Sequence, residues 1–572
     1  MNDSVNLCEV QLAAWLKEAF AKAFGDAVAG FEPRVQPAQD AKFGDFQCND
    51  VMKLSKTLHR APRDIAQAAL SAVPLSDMLE KAEVAGPGFI NLTVKPDWLA
   101  KQIETLAASD RFGIPQTGAG KKVVIDYSSP NAAKQMHIGH IRSTVIGNAI
   151  DRIHRALGYE VIADNHLGDW GTQFGILIKG YRECLTDEQR AALTVADLEA
   201  AYVQSSSRAK TDEAWQDACR KELVKLQQGD EECVALWKRF IEISIGEFTR
   251  MYTQLGVSFD TWRGESYYNS MMPGIIDRLC KAGLAEESEG ALIVRFEEEK
   301  LPVAIVRKSD GGFNYTTSDL ACVESRVAEY SPERIIYVTD ERQQLHFKQF
   351  FTISRKLGVD AQLVHVWFGL MSFQGKAIST REGNLIKLDD LISEARRRSL
   401  DIVRSRDESL SDGEAAALAA QIGIGAIKYA DLSHDPTTPI DFNWDKALAL
   451  DGNSGPYLQY ACARINSLLD KAAQSGAHPG ELLLSEPAEK QLALTLMQFP
   501  ATVLRAADTF KPSVLADYLY GLAQAYSSFY QRSPVLKSES AIRASRLRLC
   551  ELVAQVLRTG LNLLGIETPK RI

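Results

Sequence analysis

The sequence holds no stretch approaching the ~20 apolar residues of a membrane-spanning helix. It also has no CxxC pair, no internal repeat and no low-complexity tract. The first absence argues against an integral membrane protein, the second against a ribbon-type zinc site. Nine cysteines, an odd number, are scattered from Cys8 to Cys550. That pattern predicts reduced thiols and no structural zinc. A surplus of basic charge is missing too, since the formal net charge is -9. Any nucleic-acid binding would rest on local patches rather than on the field of the whole chain. The opening MNDSVNLCEVQLAAWLKEAF places no basic segment ahead of an apolar run. Neither a secretory signal nor an Arg-rich transit peptide is suggested, and a cytoplasmic location is expected.

What is present is a chain of 572 residues, 45% hydrophobic and 24% charged, proportions that suit a globular protein of roughly two to four domains. Residues 1–112 alternate amphipathic helical stretches, QLAAWLKEAFAKAF and RDIAQAALSAV, with strand-like runs of which VAGPGFINLTV is the clearest. An α+β unit is expected there. GIPQTGAGKK at 113–122 reads as a linker. Over 123–408 the chain opens with the apolar strand KVVI, then a helix on which Val145, Ala149, Ile153 and Leu157 recur every four positions, then the strand YEVIAD. Strand, loop, helix, strand is the βαβ unit of a parallel, doubly wound sheet. A helical, highly charged stretch at about 181–285 predicts an insertion. ERIIYV (333–338) and QLVHVWF (362–368) predict the resumed sheet, with a helix from Gln344 towards Leu357 between them. Residues 409–572 read almost entirely as amphipathic helix, an all-α domain.

The most informative stretch is SSPNAAKQMHIGH (128–140), at the first strand-to-helix turn. Ligands of open α/β sheets bind at the carboxyl ends of strands, where helix N-termini present unpaired N–H groups. Gly139 would let a flat group approach the backbone, and His137 and His140 can donate to phosphate oxygens as charge grows on them. That combination suits attack on the α-phosphate of ATP. A satisfied pair of turn histidines is the plainer alternative. A zinc site fits less well, because helical zinc pairs favour i, i+4 spacing with further ligands nearby.

The run IDYSSPNAAKQMHIGHIRSTVIGNAI (125–150), followed by NHLGDWGTQFG (165–175), resembles the class I aminoacyl-tRNA synthetases and, within them, the arginyl-tRNA synthetases. FGDFQCN (43–49), NYTTSDLA (314–321), IYVTDERQQLHFKQFF (336–351), DGNSGPYLQYACARI (451–465) and LLGIETPKRI (563–572) resemble the same family in the same order. The resemblance implies an α/β fold: a Rossmann-like parallel-sheet catalytic domain with a helical insertion, an α+β N-terminal domain that binds the tRNA elbow, and an all-α anticodon-binding domain. It implies that L-arginine and ATP, with Mg2+, give arginyl-adenylate and diphosphate, and that arginine then passes to the terminal adenosine of tRNA(Arg). A monomer is implied as well.

By the same resemblance His137 and His140 hold the phosphates, with Gly139, Gly171 and Gln173 beside ATP and His166 and Asp169 as further lining. The second class I signature, KMSKS, corresponds to Ala377-Ile378-Ser379-Thr380-Arg381, in which both lysines are replaced. Lys134 is then expected to supply the missing charge, with Lys376, Ser379 and Arg381 contributing from the loop. Asp319 matches the carboxylate that takes the guanidinium, Tyr315 its aromatic neighbour one helical turn away, and Gln343 another pocket residue. Asp126, Ser128 and Asn131 match positions around the α-ammonium and carboxylate. Tyr457, Tyr460, Arg464 and Tyr530 suit stacking of unpaired anticodon bases. Phe89 and Asn91 match contacts to the D-loop, and no protein-held metal is expected. Taken singly, each of these residues has a duller role as cap, core or strand-end charge. Two rival functions remain: a small-molecule adenylyltransferase of the HxGH type, which needs no helical RNA-binding domain, and a non-catalytic tRNA-binding paralogue, which the altered second signature favours.

Overall fold

The structure, a computed structural model, describes residues 8–38, 40–373, 375–377 and 386–571, with backbone only at Ala41, Lys376 and Ala377. The central unit begins with β1 (Lys122–Asp126), α1 (Ile138–Ala156) and β2 (Glu160–Asp164). It resumes after an insertion with α2 (Tyr315–Tyr330), β3 (Arg334–Asp340), α3 (Gln344–Lys356) and β4 (Gln362–Phe368). KVVID, EVIAD and RIIYVTD are short, nearly continuous apolar runs, as strands covered on both faces by helices require. All four strands are parallel and lie in the order β4-β3-β1-β2. Chain order reverses between β1 and β3, and the crevice beyond their carboxyl ends is where an open α/β sheet takes its ligand. Both SSPNAAKQMHIGH and the turn that opens α3 lead off these two ends. α1 stops at Gly158, whose φ of 86° ends the helix without a Cβ penalty.

The insertion is helical at first: Thr172–Cys184, Val195–Ala209, Glu213–Gln227 and Glu231–Leu255. It is followed by an antiparallel sheet, Ala285–Ser288, Ala291–Phe296 and Leu301–Arg307, which the sequence patterning did not anticipate. Pro302 argues against a strand in LPVAIVR, but that strand is an edge, where a missing N–H is tolerated.

After β4 the chain forms β5 (Met371–Phe373), β6 (Lys376–Ala377), α4 (Leu388–Arg406), α5 (Asp412–Leu432) and β7 (Ile440–Phe442), with β5 paired to both β6 and β7. Helices Gly455–Gln474, Pro487–Met497, Phe499–Thr509, Pro512–Arg532 and Ser540–Leu563 complete an α bundle. At the N-terminal end, helices Cys8–Phe24 and Pro62–Ser71 accompany a four-stranded antiparallel sheet. VAGPGFINLTV is not one strand but a hairpin, Leu79–Ala85 paired with Phe89–Val94. Gly88 makes the turn at φ 140°, and a Cβ there would lie 2.7 Å from the Pro62 carbonyl carbon. Among the described residues no helix is long and apolar enough to cross a membrane.

Candidate active site

β1 ends at Asp126, and the loop that follows is bent unusually: Ser128, Ser129 and Ala133 have φ of 72°, 45° and 61°. Left-handed non-glycine residues cost about 1–3 kcal/mol each and persist only where their surroundings over-determine them. Here the loop is pinned at several points. The Ser129 hydroxyl donates to Asp126 Oδ1 at 2.9 Å, and the Ser129 N–H to Asn165 Oδ1 at 3.1 Å. The Ser128 hydroxyl sits 2.8 Å from Thr144 Oγ1 and 2.7 Å from the Tyr252 hydroxyl. The Ala133 N–H donates to Ser244 Oγ at 2.9 Å. Ser128 is buried, with its hydroxyl directed into the insertion helix Glu231–Leu255 and α1. Asp126 is buried as well, and its Oδ2 accepts from Arg326 at 2.7 Å, a guanidinium that also reaches Asp164 at 2.6 Å. Both side chains thus help to hold the loop at the end of the strand. Asn131 remains exposed, its backbone bridged to Gly168.

His137 is the N-cap of α1, and the two histidines cap the helix reciprocally. The Gly139 N–H donates to His137 Nδ1 at 3.1 Å, and the His137 N–H donates to His140 Nδ1 at 3.1 Å. A backbone N–H can only donate, so each Nδ1 must be an unprotonated acceptor. Each neutral ring therefore carries its proton on Nε2, and no described residue accepts from either Nε2. The rings lie 3.9 Å apart between centroids. Burial, then Lys134, pushes His137 down to about 4. Burial, the neighbouring His137 and Lys134 push His140 down to about 3. Both are neutral N–H donors at pH 7. Gly139 has a second use here, because a Cβ would lie 2.8 Å from His137 Cε1 and displace the ring from its cap. The Lys134 ammonium stands 5.1 Å from the centre of the Tyr202 ring in the helical insertion.

The chain segment around the second signature is fastened to the first. On its far side the Ile138 N–H donates to the Ile386 carbonyl at 3.0 Å, the Leu388 N–H to the Met136 carbonyl at 2.9 Å, and His137 bridges Lys387. On its near side Arg142 of α1, only 1% exposed, donates from Nη1 to the carbonyls of Gly369 at 2.6 Å and Thr438 at 3.1 Å, and from Nε to Asp431 Oδ2 at 3.0 Å. Ser379 and Arg381 lie outside the described residues, and Lys376 enters only as a backbone pair with Phe373 in β6. In NHLGDWGTQFG, Gly171 caps the helix Thr172–Cys184 at φ 123°, and Gln173 Nε2 donates back to the Trp170 carbonyl at 2.9 Å. Asp169 is buried and accepts from Ser266 N and Oγ at 2.8 and 2.6 Å, and His166 Nδ1 lies 2.9 Å from the Arg263 carbonyl.

A second cluster forms where α2 and α3 meet. Tyr315 opens α2, 70% exposed, one turn before half-buried Asp319. Asp319 Oδ2 bonds His346 Nε2 of α3, one turn beyond exposed Gln343. Glu265, half-buried, faces the same cluster. Burial pushes its carboxyl up to about 7, His166 opposes this, and the Asp319 and Asp169 carboxylates add to it. Two acids held close together, one resisting ionisation, make a site that a cation would stabilise.

Residues 102–444 match the family model described as class I tRNA synthetase (R) catalytic domain, residues 11–94 the arginyl tRNA synthetase N-terminal domain, and residues 458–572 the DALR anticodon binding domain. A protein of Fusobacterium nucleatum named arginine–tRNA ligase is 44% identical over 533 residues, 92% of this chain and 93% of that protein. The chain belongs to the arginyl-tRNA synthetase family. The arginyl-tRNA synthetase of Plasmodium falciparum superposes with a TM-score of 0.85 at 27% identity, covering 99% of each chain. The Thermus thermophilus enzyme gives 0.83 at 25%, covering 98% of this chain and 100% of that one.

Two residues that the arginyl-tRNA synthetase motifs did not single out emerge from the geometry. Glu265 opens a single 3-10 turn, Glu265–Tyr268, in TWRGESYY, which has no periodicity to mark it. His346 could have been found, since it follows Gln343 by one helical turn. Tyr457, Tyr460 and Arg464 occupy one face of the helix Gly455–Gln474. The guanidiniums of Arg464 and Arg406 stand 5.8 and 5.1 Å from the Tyr460 ring, and Tyr530, partly exposed, is 6.0 Å from Tyr526. Phe89 and Asn91 alternate with buried Ile90 and Leu92, so both lie on the outer face of their strand, where Asn91 Oδ1 accepts from Gln47 at 2.8 Å.

Proposed function

We propose the following division of labour for the arginine–tRNA ligase activity. The chain uses ATP to activate L-arginine and esterifies tRNA(Arg) with it. His137 and His140 present their Nε2–H groups to the phosphates of ATP, which brings Mg2+ with it. As charge grows on the α-phosphate oxygens these neutral donors meet it without reorganising. The arginine carboxylate attacks, diphosphate leaves, and positioning supplies most of the acceleration because no covalent enzyme intermediate is needed. Asp319 and Glu265 take the guanidinium, with Tyr315 and Gln343 at the mouth and Asn131 towards the α-amino end. Lys134 stands in for the missing signature lysine. Tyr457, Tyr460, Arg464 and Tyr530 stack anticodon bases, Phe89 and Asn91 meet the tRNA elbow, and the protein acts as a cytoplasmic monomer. The observation that carries this reading is the reciprocal histidine cap, which fixes two neutral donors at the switch point of the sheet.

Pure protein charging total tRNA with labelled arginine, and no other amino acid, is the direct test. Its failure in folded protein would leave the non-catalytic paralogue. Adenylate transfer to a small acceptor without tRNA would favour the adenylyltransferase. Lys134→Ala is expected to lower the rate of arginine-dependent pyrophosphate exchange, measured with tRNA present, by about 10²-fold, the scale of one lost charge contact in a transition state. An unchanged rate moves the role to Lys376 or Arg381.

Glu265 makes arginine binding depend on pH. Its carboxyl is pushed up to about 7, so below pH 7 it is largely protonated and must lose a proton to meet the guanidinium. Affinity for arginine should fall about tenfold per unit as pH drops below 7. Calorimetry in buffers of different ionisation enthalpy should find close to one proton released per arginine at pH 6 and little at pH 8. Glu265→Gln should abolish that release, and a persistent release would assign it elsewhere.

A further inference from the structure

We propose that His346 is a positioning residue for arginine selection: it fixes the plane of the Asp319 carboxylate so that a guanidinium fork, and not merely a positive charge, is bound. The inference rests on the reading of Asp319 as the guanidinium carboxylate. The terminal torsion of an aspartate is broad and roughly two-fold, so a half-buried carboxylate left alone would sample a range of planes. Asp319 is not left alone. Its Oδ2 is joined to His346 Nε2, with the two side chains 25% and 28% exposed.

The imidazole is itself held. Its centroid lies 5.2 Å from the Phe350 ring and 5.8 Å from the Phe347 ring, in an aromatic cluster that includes Tyr337 of β3. Ring, helix α3 and carboxylate thus form a rigid chain that starts in the core of the sheet. An Nε2–H donated to Oδ2 leaves Oδ1 wholly free and one lone pair on Oδ2. That is the arrangement two parallel N–H groups of a guanidinium require, whereas an ammonium asks for no particular plane. Neither helix alone could do this, because Asp319 is on α2 and its orienting donor on α3.

The test uses the full chain with tRNA present and compares His346→Asn, His346→Gln and Asp319→Asn by KM for arginine, KM for ATP and kcat of exchange. A glutamine amide nitrogen reaches close to the place of His Nε2, while asparagine falls one methylene short. H346N is expected to raise KM for arginine about tenfold or more, the scale of a misplaced binding group, with kcat and KM for ATP within about twofold. H346Q should bring KM for arginine back to within about threefold. Equal damage in H346N and H346Q, no change in H346N, or a parallel rise in KM for ATP would each overturn the inference. D319N separates the two levels. If it leaves KM for arginine unchanged, the guanidinium reading fails and the inference with it. If D319N raises that KM while H346N does not, only the role of His346 falls.

Discussion

His140→Ala is expected to lower the rate of arginyl-adenylate formation by about 10²–10³-fold, the loss that follows removal of one preorganised donor from a developing oxyanion. The effect rests on where the proton sits. Because the His137 backbone N–H occupies His140 Nδ1, the mobile proton is on Nε2, and because the ring is held down to about 3, it stays neutral across the working range of pH. Alanine deletes the donor and also uncaps the His137 N–H, at an additional ~1 kcal/mol of helix stability. Single-turnover adenylate formation at saturating arginine and ATP, alongside a melting curve, distinguishes the two losses. His137→Ala should cost a similar factor, and the double variant less than the product, since the rings act as a unit. The parent rate should show no ionisation near 6.5, the ordinary value for histidine. A loss under about fivefold with intact folding would remove the histidines from the transition state.

Asp319→Asn is the second large effect. Truncating one partner of a close charge pair costs about 2–5 kcal/mol, which is about 30-fold to several thousandfold in affinity, and it should fall on KM for arginine rather than on KM for ATP. Glu265 keeps part of the charge, so affinity should drop without vanishing. The variant should also bring the Glu265 carboxyl down, since the Asp319 charge is one of the groups that raise it. The proton released on arginine binding at pH 6 should therefore diminish. A D319N protein with parental KM for arginine would move guanidinium recognition elsewhere.

How far the sequence alone reaches depends on the kind of residue. Strands such as KVVI were legible because burial on both faces of a central strand leaves an unbroken apolar run, and the helix from Gln344 was legible by its spacing. The antiparallel sheet at 285–307 was not, since an edge strand with one solvated face tolerates Pro302 and polar neighbours. In the active site, His137 and His140 stood out by motif. Their tautomer did not, because it follows from which backbone N–H groups the turn brings to each Nδ1. Asp126 and Ser128 sit in the expected loop, but a sequence cannot reveal that they bond to Arg326, 200 positions away, and Tyr252, 124 positions away. Glu265 is invisible for the converse reason: its raised ionisation comes first from burial and then from the Asp319 and Asp169 carboxylates, against the pull of His166, surroundings that only folding assembles.

The stitching of Ile386, Lys387 and Leu388 to Met136, His137 and Ile138, and of Gly369 to Arg142, gives the molecule the plan of a buckled belt. Everything between residues 142 and 369 leaves the buckle and returns to it. The antiparallel sheet at 285–307 is a length of strap, free to grow, shrink or vary in shape over evolutionary time without changing the distance between the two ends, whereas the helical insertion is tied to the loop through Tyr252 and Ser244. Descent can therefore remodel that sheet while the two fastened ends stay in register.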